Sequence, residues 1–566
     1  MERVCPMAAK LNTRIISSLE KCFHDEAISD HPRLKKASML RNEQYSFQLA
    51  MQLRDRACTD KKEVYLHVKS ALAAYLEIKL VREVPSMFPC YGDARGREYL
   101  RRKPGLYPDL LEPLAEGREI PLMPGQLCSL WFTVAPRAEI PTGAQRIELE
   151  LSDENGTVLA RETLTLTVIE ADLPAQGLTF TQWFHSDCLA VYYGVPVFSE
   201  RHWEIIENFL RTARRYGMNM VLTPVFTPPL DTAVGTERPT VQLVDVAVEG
   251  GKYRFGFEKL DRWVNLCLRL GFEQFEISHF FTQWGAAHAP KVIAQMEGQT
   301  KRIFGWETEA AGEAYASFLH AFLGALIPHL KKLGVDRRCR FHISDEPSED
   351  SLGNYQAAKQ IVEEQLKGYP IMDALSSYEF YRQGVSACPI PANDHIEPFL
   401  KHRVPHLWTY YCCGQSNGVS NRFLSMPSAN NRIIGTQLYK YHIEGFLHWG
   451  YNFYFSQLSR HAVNPFFVTD GDGMVPSGDA FSVYPAPDGT AWESLRLVVF
   501  HEALQDQRAL ELCESLYGRA FVMRLLEGGL HGRITFRHYP RRAAFLLRLR
   551  ERVNAAIAAR QEKAEA

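Results

Sequence analysis

The run Ser344-Asp345-Glu346-Pro347 sets two carboxylates side by side at the end of a short apolar segment, Cys339-Arg340-Phe341-His342-Ile343. Pro347 biases Glu346 away from helical angles and stops a strand there. Adjacent carboxylates repel, so one ionises while the other holds its proton near neutrality. That division lets one serve as general acid and the other as a fixed negative charge. Alone, an Asp-Glu-Pro turn is simply a solvated acidic corner. The ends of other candidate strands give this one its meaning: Trp183, His185 and Asp187 after the first, His279 after the third, Tyr378 after the fifth. Trp408, Tyr410 and Tyr411 end the seventh, and Trp449, Tyr451 and Asn452 the eighth. Each could equally be a core or rim side chain, but together they describe an aromatic, polar-tipped pocket suited to a sugar.

The elements that must position these residues are strands alternating with helices. Candidate strands are Leu178–Phe184, Asn219–Thr223, Gln274–Ser278, Arg340–Ser344, Pro370–Ser376, Ala387–Ile390, Pro405–Tyr411 and Gly445–Asn452. Amphipathic stretches at Ser199–Tyr216, Phe257–Leu270, Ala311–Leu333 and Ser348–Leu366 read as intervening helices. Eight such repeats over residues 176–515 predict a (β/α)8 TIM-like barrel, whose active site lies at the C-terminal strand ends. Val241–Phe257, with Gly250-Gly251 inside, reads as a hairpin insertion, and Ser494–Leu516 as the last barrel helix. Residues 1–175 carry period-2 strands at Leu130–Val134, Ile147–Leu151 and Leu164–Val168, with Asn155-Gly156 as a hairpin turn, and predict an N-terminal β-sandwich. Residues 516–566 form a C-terminal helical extension that could pack back or mediate oligomers.

Bulk composition narrows the partners. Lys plus Arg (64) nearly cancels Asp plus Glu (66), which gives no electrostatic case for nucleic acid or an anionic membrane. No apolar run reaches the roughly 20 residues of a membrane span, and the start shows no signal-peptide core. The 12 Cys show no Cys-x-x-Cys spacing, so reduced thiols in a cytoplasmic protein, with neither metal nor cofactor, are expected.

The carboxylate count then selects among mechanisms. A double-displacement glycosidase needs a second carboxylate about 5 Å from the acid. Barrel glycosidases often place it at the end of the seventh strand, where this chain reads Trp408-Thr409-Tyr410-Tyr411-Cys412-Cys413. Substrate assistance dispenses with it, because the 2-acetamido oxygen of the sugar attacks its own anomeric carbon. A well-oriented internal nucleophile is worth an effective molarity of about 10⁵ M or more. The protein then supplies a general acid, Glu346, and an anion that orients the acetamide N–H, Asp345.

These features resemble glycoside hydrolase family 123, the β-N-acetylgalactosaminidases, and the broader domain-of-unknown-function 4091 group. The resemblance rests on Trp183-Phe184-His185-Ser186-Asp187, on Thr223 through Thr232, and on Gln283-Trp284-Gly285, Phe304-Gly305-Trp306 and Ser344-Asp345-Glu346-Pro347. Gly445 through Asn452 and the segment from Ser494 to Asp506 extend it, so that it spans roughly residues 120–515. It implies a β-sandwich followed by a catalytic barrel, and exo-acting, retaining release of terminal β-linked N-acetylgalactosamine by neighbouring-group participation. It maps the family's acidic pair onto Asp345 and Glu346 and adds Trp284 to the rim positions expected to bind substrate. His448 departs from the pattern, standing where an aromatic residue is expected.

Two other classes compete. His185, Asp187, His279, His342 and Asp345 could form an amidohydrolase-like metal site, but the expected His-x-His is absent, and His342 should face away from Asp345. A non-catalytic carbohydrate-binding barrel is opposed only by the intact acidic pair.

Overall fold

In the computed structural model the strands around the acidic pair are short and parallel. The structure describes residues 11–53, 61–95, 98–114, 119–136 and 139–565. Thr179–Gln182 pairs with Gly445–His448, which pairs with Trp408–Tyr410. Met220–Thr223 pairs with Gln274–Ile277, which pairs with Cys339–Phe341, and Met372–Ala374 pairs with Cys388–Ile390. Single parallel bridges, Phe341 to Ile371 and Ala392 to Tyr410, join these groups. The first two strands meet where the Asn219 N–H donates to the Phe180 carbonyl at 3.1 Å. All eight expected parallel segments therefore contain a strand, each trimmed to three or four residues.

Both faces of such short strands are covered, and Thr179–Gln182, Met220–Thr223, Met372–Ala374, Trp408–Tyr410 and Gly445–His448 are buried throughout, polar residues included. The inner cluster comprises Trp183, Met220, Leu222, Met372, Ala374, Ile390, Trp408, Tyr410 and Leu447. Helices Glu200–Arg215, Glu258–Leu270, Glu313–Lys332 and Leu352–Glu363 fall inside the expected stretches. Ser199 caps the first of these, its hydroxyl accepting from the His202 N–H. The insertion folds as expected into Asp245–Glu249 and Lys252–Gly256. A second hairpin, Val292–Met296 with Gln299–Phe304, extends it into a four-stranded sheet that the sequence pattern did not reveal.

The chain divides into two compact units that interleave in sequence: residues 1–176, 420–440 and 492–566, and residues 177–419 with 441–491. The first is β-rich, with two five-stranded sheets. Their facing residues, among them Phe47, Leu49, Leu130, Phe132, Leu149 and Leu166, form its core. Val158–Ile169 pairs antiparallel with Gly143–Ser152 across the Asn155-Gly156 turn, where Gly156 takes φ +78°. Helix Leu495–Tyr517, expected as the last barrel helix, lies in this unit, because its buried polar residues find their partners there. Arg496 clasps Asp109 with two bonds of 2.9 Å, and Glu502 and Asp506 receive Arg432 at 2.7 Å each. The C-terminal helix Ala543–Glu565 adds Arg550, bonded to Glu43 and Asp506. Among the described residues no helix is long and apolar enough to cross a membrane.

Candidate active site

The fourth parallel strand stops at Phe341, and the chain leaves it through Asp345, half-buried, and Glu346, exposed. Glu346 takes a left-handed backbone, φ +42°, and so do Trp284 at +58° and Asp231 at +40°. Each non-glycine residue held there costs roughly 1–2 kcal/mol, and such strain collects at functional sites. The strained segments brace one another: the Trp284 N–H donates to the Asp345 carbonyl at 2.8 Å. Next to Trp284, Gly285 sits at φ +128° with Ser351 so close that a Cβ would lie 2.7 Å from the Ser351 Cβ. No side chain fits there.

A cavity of about 120 Å³ opens over the pair. Trp183, Leu447, Trp449 and Phe453 wall it, and Asp231, Gln283, Tyr410, Cys412 and Cys413 bring polar atoms and thiols. Buried Tyr410 donates its hydroxyl to Glu346 Oε1 at 2.7 Å. Burial, reinforced by the charge of Glu346, pushes the Asp345 carboxyl well above the ordinary range, against the pull of His342. Burial and the neighbouring charge therefore favour the protonated form of Asp345 in the free protein.

Beneath the pair lies a polar pillar. His342 is clamped between Glu276 (Nε2, 2.7 Å) and Asp373 (Nδ1, 3.0 Å), all fully buried. Burial alone would lower its pKa, but Asp373 and Glu276 outweigh that and push it up to about 10. Glu276 also accepts from Thr181 at 2.8 Å and from the Trp183 indole at 2.6 Å. Asp373 accepts from the Tyr355 hydroxyl at 2.6 Å. The pillar thereby holds one cavity wall, Trp183, to the strand that ends in the acidic pair. His279 stacks on His342 at 4.3 Å, and burial, then the His342 charge, drives its pKa well below the usual value. Ligand atoms of His279, His342 and Asp373 lie within 4.8 Å of one another. A protonated His342 with both ring nitrogens committed to carboxylates has no lone pair to give a metal.

The other expected site residues fall into distinct groups. His185 lines the cavity, but its Nε2 is hydrogen-bonded to the Trp449 carbonyl and its Nδ1 faces Arg238. Burial, then the Arg238 charge, lowers its pKa to about 4, so it is neutral. Asp187 lies behind it in a bidentate pair with Arg238, at 2.7 and 2.8 Å. Asn452 pins the His185 backbone with both amide atoms. Trp284, 55% exposed, stands at the cavity, and Trp449 is oriented there by Asp479 at 2.8 Å. His279, Trp408 and Tyr378 are not brought to the cavity wall. Trp408 begins its strand instead of ending it, pairing with Gly445, so it lies at the opposite end from Tyr410. Tyr378 stacks on His402 in a short helix. His448, the departure noted in the sequence, is fully buried with Nε2 3.3 Å from Asp479, and it does not line the cavity.

Asp231, Gln283 and Phe453 are cavity residues that the strand-end rule missed, because they follow their strands by several residues of irregular loop. For Asp231 the available signal was the Pro228-Pro229 pair, which breaks the chain just before it.

A carboxylate pair at the ends of parallel strands, in a cavity walled by tryptophan and tyrosine, defines a glycoside hydrolase. The chain belongs to glycoside hydrolase family 123: the model of the family's catalytic domain matches residues 183–513. Among solved structures it is similar to a family 123 glycoside hydrolase from Clostridium perfringens, at 16% identity, 98% coverage of both chains and a TM-score of 0.72. Looser likenesses, which carry no argument, are a family 5 mannosidase from Rhizomucor miehei (12% identity, 60% of this chain and 99% of that one, TM-score 0.33) and a β-glucuronidase from Parabacteroides merdae (11%, 88% and 52%, 0.30). No curated protein matches the chain in sequence.

Proposed function

We propose that this glycoside hydrolase releases terminal β-linked N-acetylgalactosamine with retention, the 2-acetamido oxygen of the sugar acting as nucleophile. The observation that carries this reading is the adjacent Asp345–Glu346 pair facing a seventh-strand end of Tyr410, Cys412 and Cys413, where no carboxylate stands. Glu346 gives its proton to the glycosidic oxygen as the acetamido oxygen bonds to the anomeric carbon, and the aglycone leaves as an alcohol. Asp345 accepts the acetamide N–H and faces the positive charge of the oxazolinium. Water, deprotonated by Glu346, then opens that ring and restores the β configuration. An acetamide N–H donated to Asp345 favours its ionised form, the form that faces the oxazolinium charge.

We read the eight parallel strands as one closed (β/α)8 ring, on the two bridges and the Asn219–Phe180 bond that link its segments. The substrate is a glycan or glycolipid with a terminal N-acetylgalactosamine; the similar Clostridium perfringens structure concerns glycolipid glycan hydrolysis. The free cysteines of the described residues accord with a cytoplasmic site of action.

The test is hydrolysis of chromogenic β-GalNAc, β-GlcNAc and β-galactoside, with a thiazoline mimic of the oxazoline as inhibitor. Turnover of the first, almost none of the last and inhibition at low concentration are expected, as transition-state-like ligands bind tightly. Equal turnover of the plain galactoside would overturn the acetamido nucleophile. A second reading, favoured by the presence of Asp231 in the same cavity, makes that carboxylate a covalent nucleophile; it predicts a glycosyl azide from Asp231→Ala treated with azide.

A further inference from the structure

Three carboxylates reach the cavity, and substrate assistance uses only Asp345 and Glu346. Asp231 is left without a role and is held there at a cost. It follows the second parallel strand by several residues and takes φ +40°. Its Oδ2 accepts the Leu458 N–H at 2.9 Å and its carbonyl accepts the Ser459 hydroxyl at 2.6 Å. Leu458 and Ser459 are themselves left-handed, at +58° and +53°. Two loops, one after the second strand and one after the eighth, thus hold each other in strained backbone with Asp231 at their junction. A structural anchor would not need an acid in a cavity: an Asn could accept the same Leu458 bond without bringing charge toward Asp345 and Glu346. The carboxyl also takes a backbone hydrogen bond from Ser459, and Asp231 lines the cavity.

We infer that Asp231 binds the hydroxyl groups of the sugar on the ring edge opposite the anomeric carbon, and so sets which sugar the pocket accepts. The inference rests on the proposed placement of the anomeric carbon at Asp345 and Glu346. A pyranose so placed turns its far hydroxyls toward the other strand ends, and the Asp231 carboxylate at the cavity offers lone pairs to accept from them. A site built to hydrogen-bond a hydroxyl discriminates strongly against an analogue lacking it, because the buried acceptor is left unpaired. Chemically, the ligand class is a sugar with free hydroxyls at the positions that 4-deoxy and 6-deoxy analogues remove.

The experiment compares the full chain with Asp231→Asn and Asp231→Ala on aryl β-N-acetylgalactosaminide and on its 4-deoxy and 6-deoxy forms, with a thermal melt of each variant. Expected is a loss of about 10²-fold in kcat/KM for Asp231→Ala on the parent sugar, from a raised KM more than a lowered kcat, with Asp231→Asn intermediate. On the deoxy form that lacks the contacted hydroxyl, wild type should fall to the level of the variant and the substitution should have little further effect. Equal losses on every sugar, unchanged kinetics, or a glycosyl azide from Asp231→Ala would each overturn the inference. No turnover by the wild-type chain on any of these sugars would instead count against the proposed activity, and binding of N-acetylgalactosamine by calorimetry to wild type and Asp231→Ala would then decide on Asp231 by itself.

Discussion

Glu346 stands in solvent at the mouth of the cavity with one hydroxyl, from Tyr410, aimed at it, a position suited to handing a proton outward to a leaving group. Glu346→Gln should therefore lower kcat by roughly 10²–10⁴-fold for glycosides with poor leaving groups and much less for activated aryl glycosides. A plot of rate against leaving-group pKa checks this, and an equal loss across the series would deny Glu346 the acid role. Asp345 presents the opposite case. Its folded-state pKa is raised by burial and by Glu346, so folding disfavours its ionisation, and that cost grows as pH rises above the ordinary carboxyl range. Asp345→Asn should abolish turnover, azide should not rescue it, and the melting temperature near neutral pH should rise by about 2 °C. A melt that falls would show that Asp345 carries structure as well as chemistry.

At the scale of elements, short strands hold the site rigidly because polar and aromatic side chains lock them from inside. His342 between Glu276 and Asp373 ties the third, fourth and fifth strands together, and Glu276 carries the connection on to Trp183. Since His342 titrates at about 10 in the fold against an ordinary 6.5, its contribution is complete below the lower value and is lost as pH climbs through the higher. His342→Leu, which leaves two buried acids without their cation, should cost about 3–5 kcal/mol in urea unfolding. At the other end of the strands, Gly445 lies under the Trp408 indole, where an added Cβ would come within 1.9 Å of ring carbons. Gly445→Ala should destabilise by at least the roughly 1–3 kcal/mol of ordinary overpacking, read from the same unfolding curves. A neutral outcome would mean that the Trp408 ring has room to turn.

For the whole molecule, the sequence order of the two units matters more than their size. The β-rich unit is completed by residues 420–440 and 492–566, and its buried charges are matched only when those segments are present. Within that unit Arg432, Arg496 and Arg550 each meet carboxylates from elements far away in the chain, Asp109 and Glu43 among them. A chain ending at residue 491 should accordingly be recovered aggregated or unfolded, since it strands Asp109, Glu43 and Arg432 without their partners. Soluble, monodisperse protein with native circular dichroism from that truncation would contradict this. An excised segment 176–515 should fare no better, because it carries Arg496 away from Asp109 and Asp506 away from Arg550.

What the chain's own order of residues determines here is local and periodic. Short segments alternating with helix stripes mark all eight parallel strands, and the Asp-Glu pair before Pro347 announces the chemistry. Adjacency in sequence suffices for these, since Asp345 and Glu346 lie together whatever the fold does. Which distant residues join them was decided in three dimensions. A strand of three residues brings only one of its ends to the cavity, so a shift of two positions separates Tyr410, bonded to Glu346, from Trp408, packed on Gly445. The presence of Asp231 at the cavity follows from two loops, after the second and eighth strands, that meet only when the fold is formed and hold a backbone conformation neither would keep alone. Likewise, the helix Leu495–Tyr517 carries a pattern that fits either unit, and the buried partners of Arg496 and Asp506 settle its place.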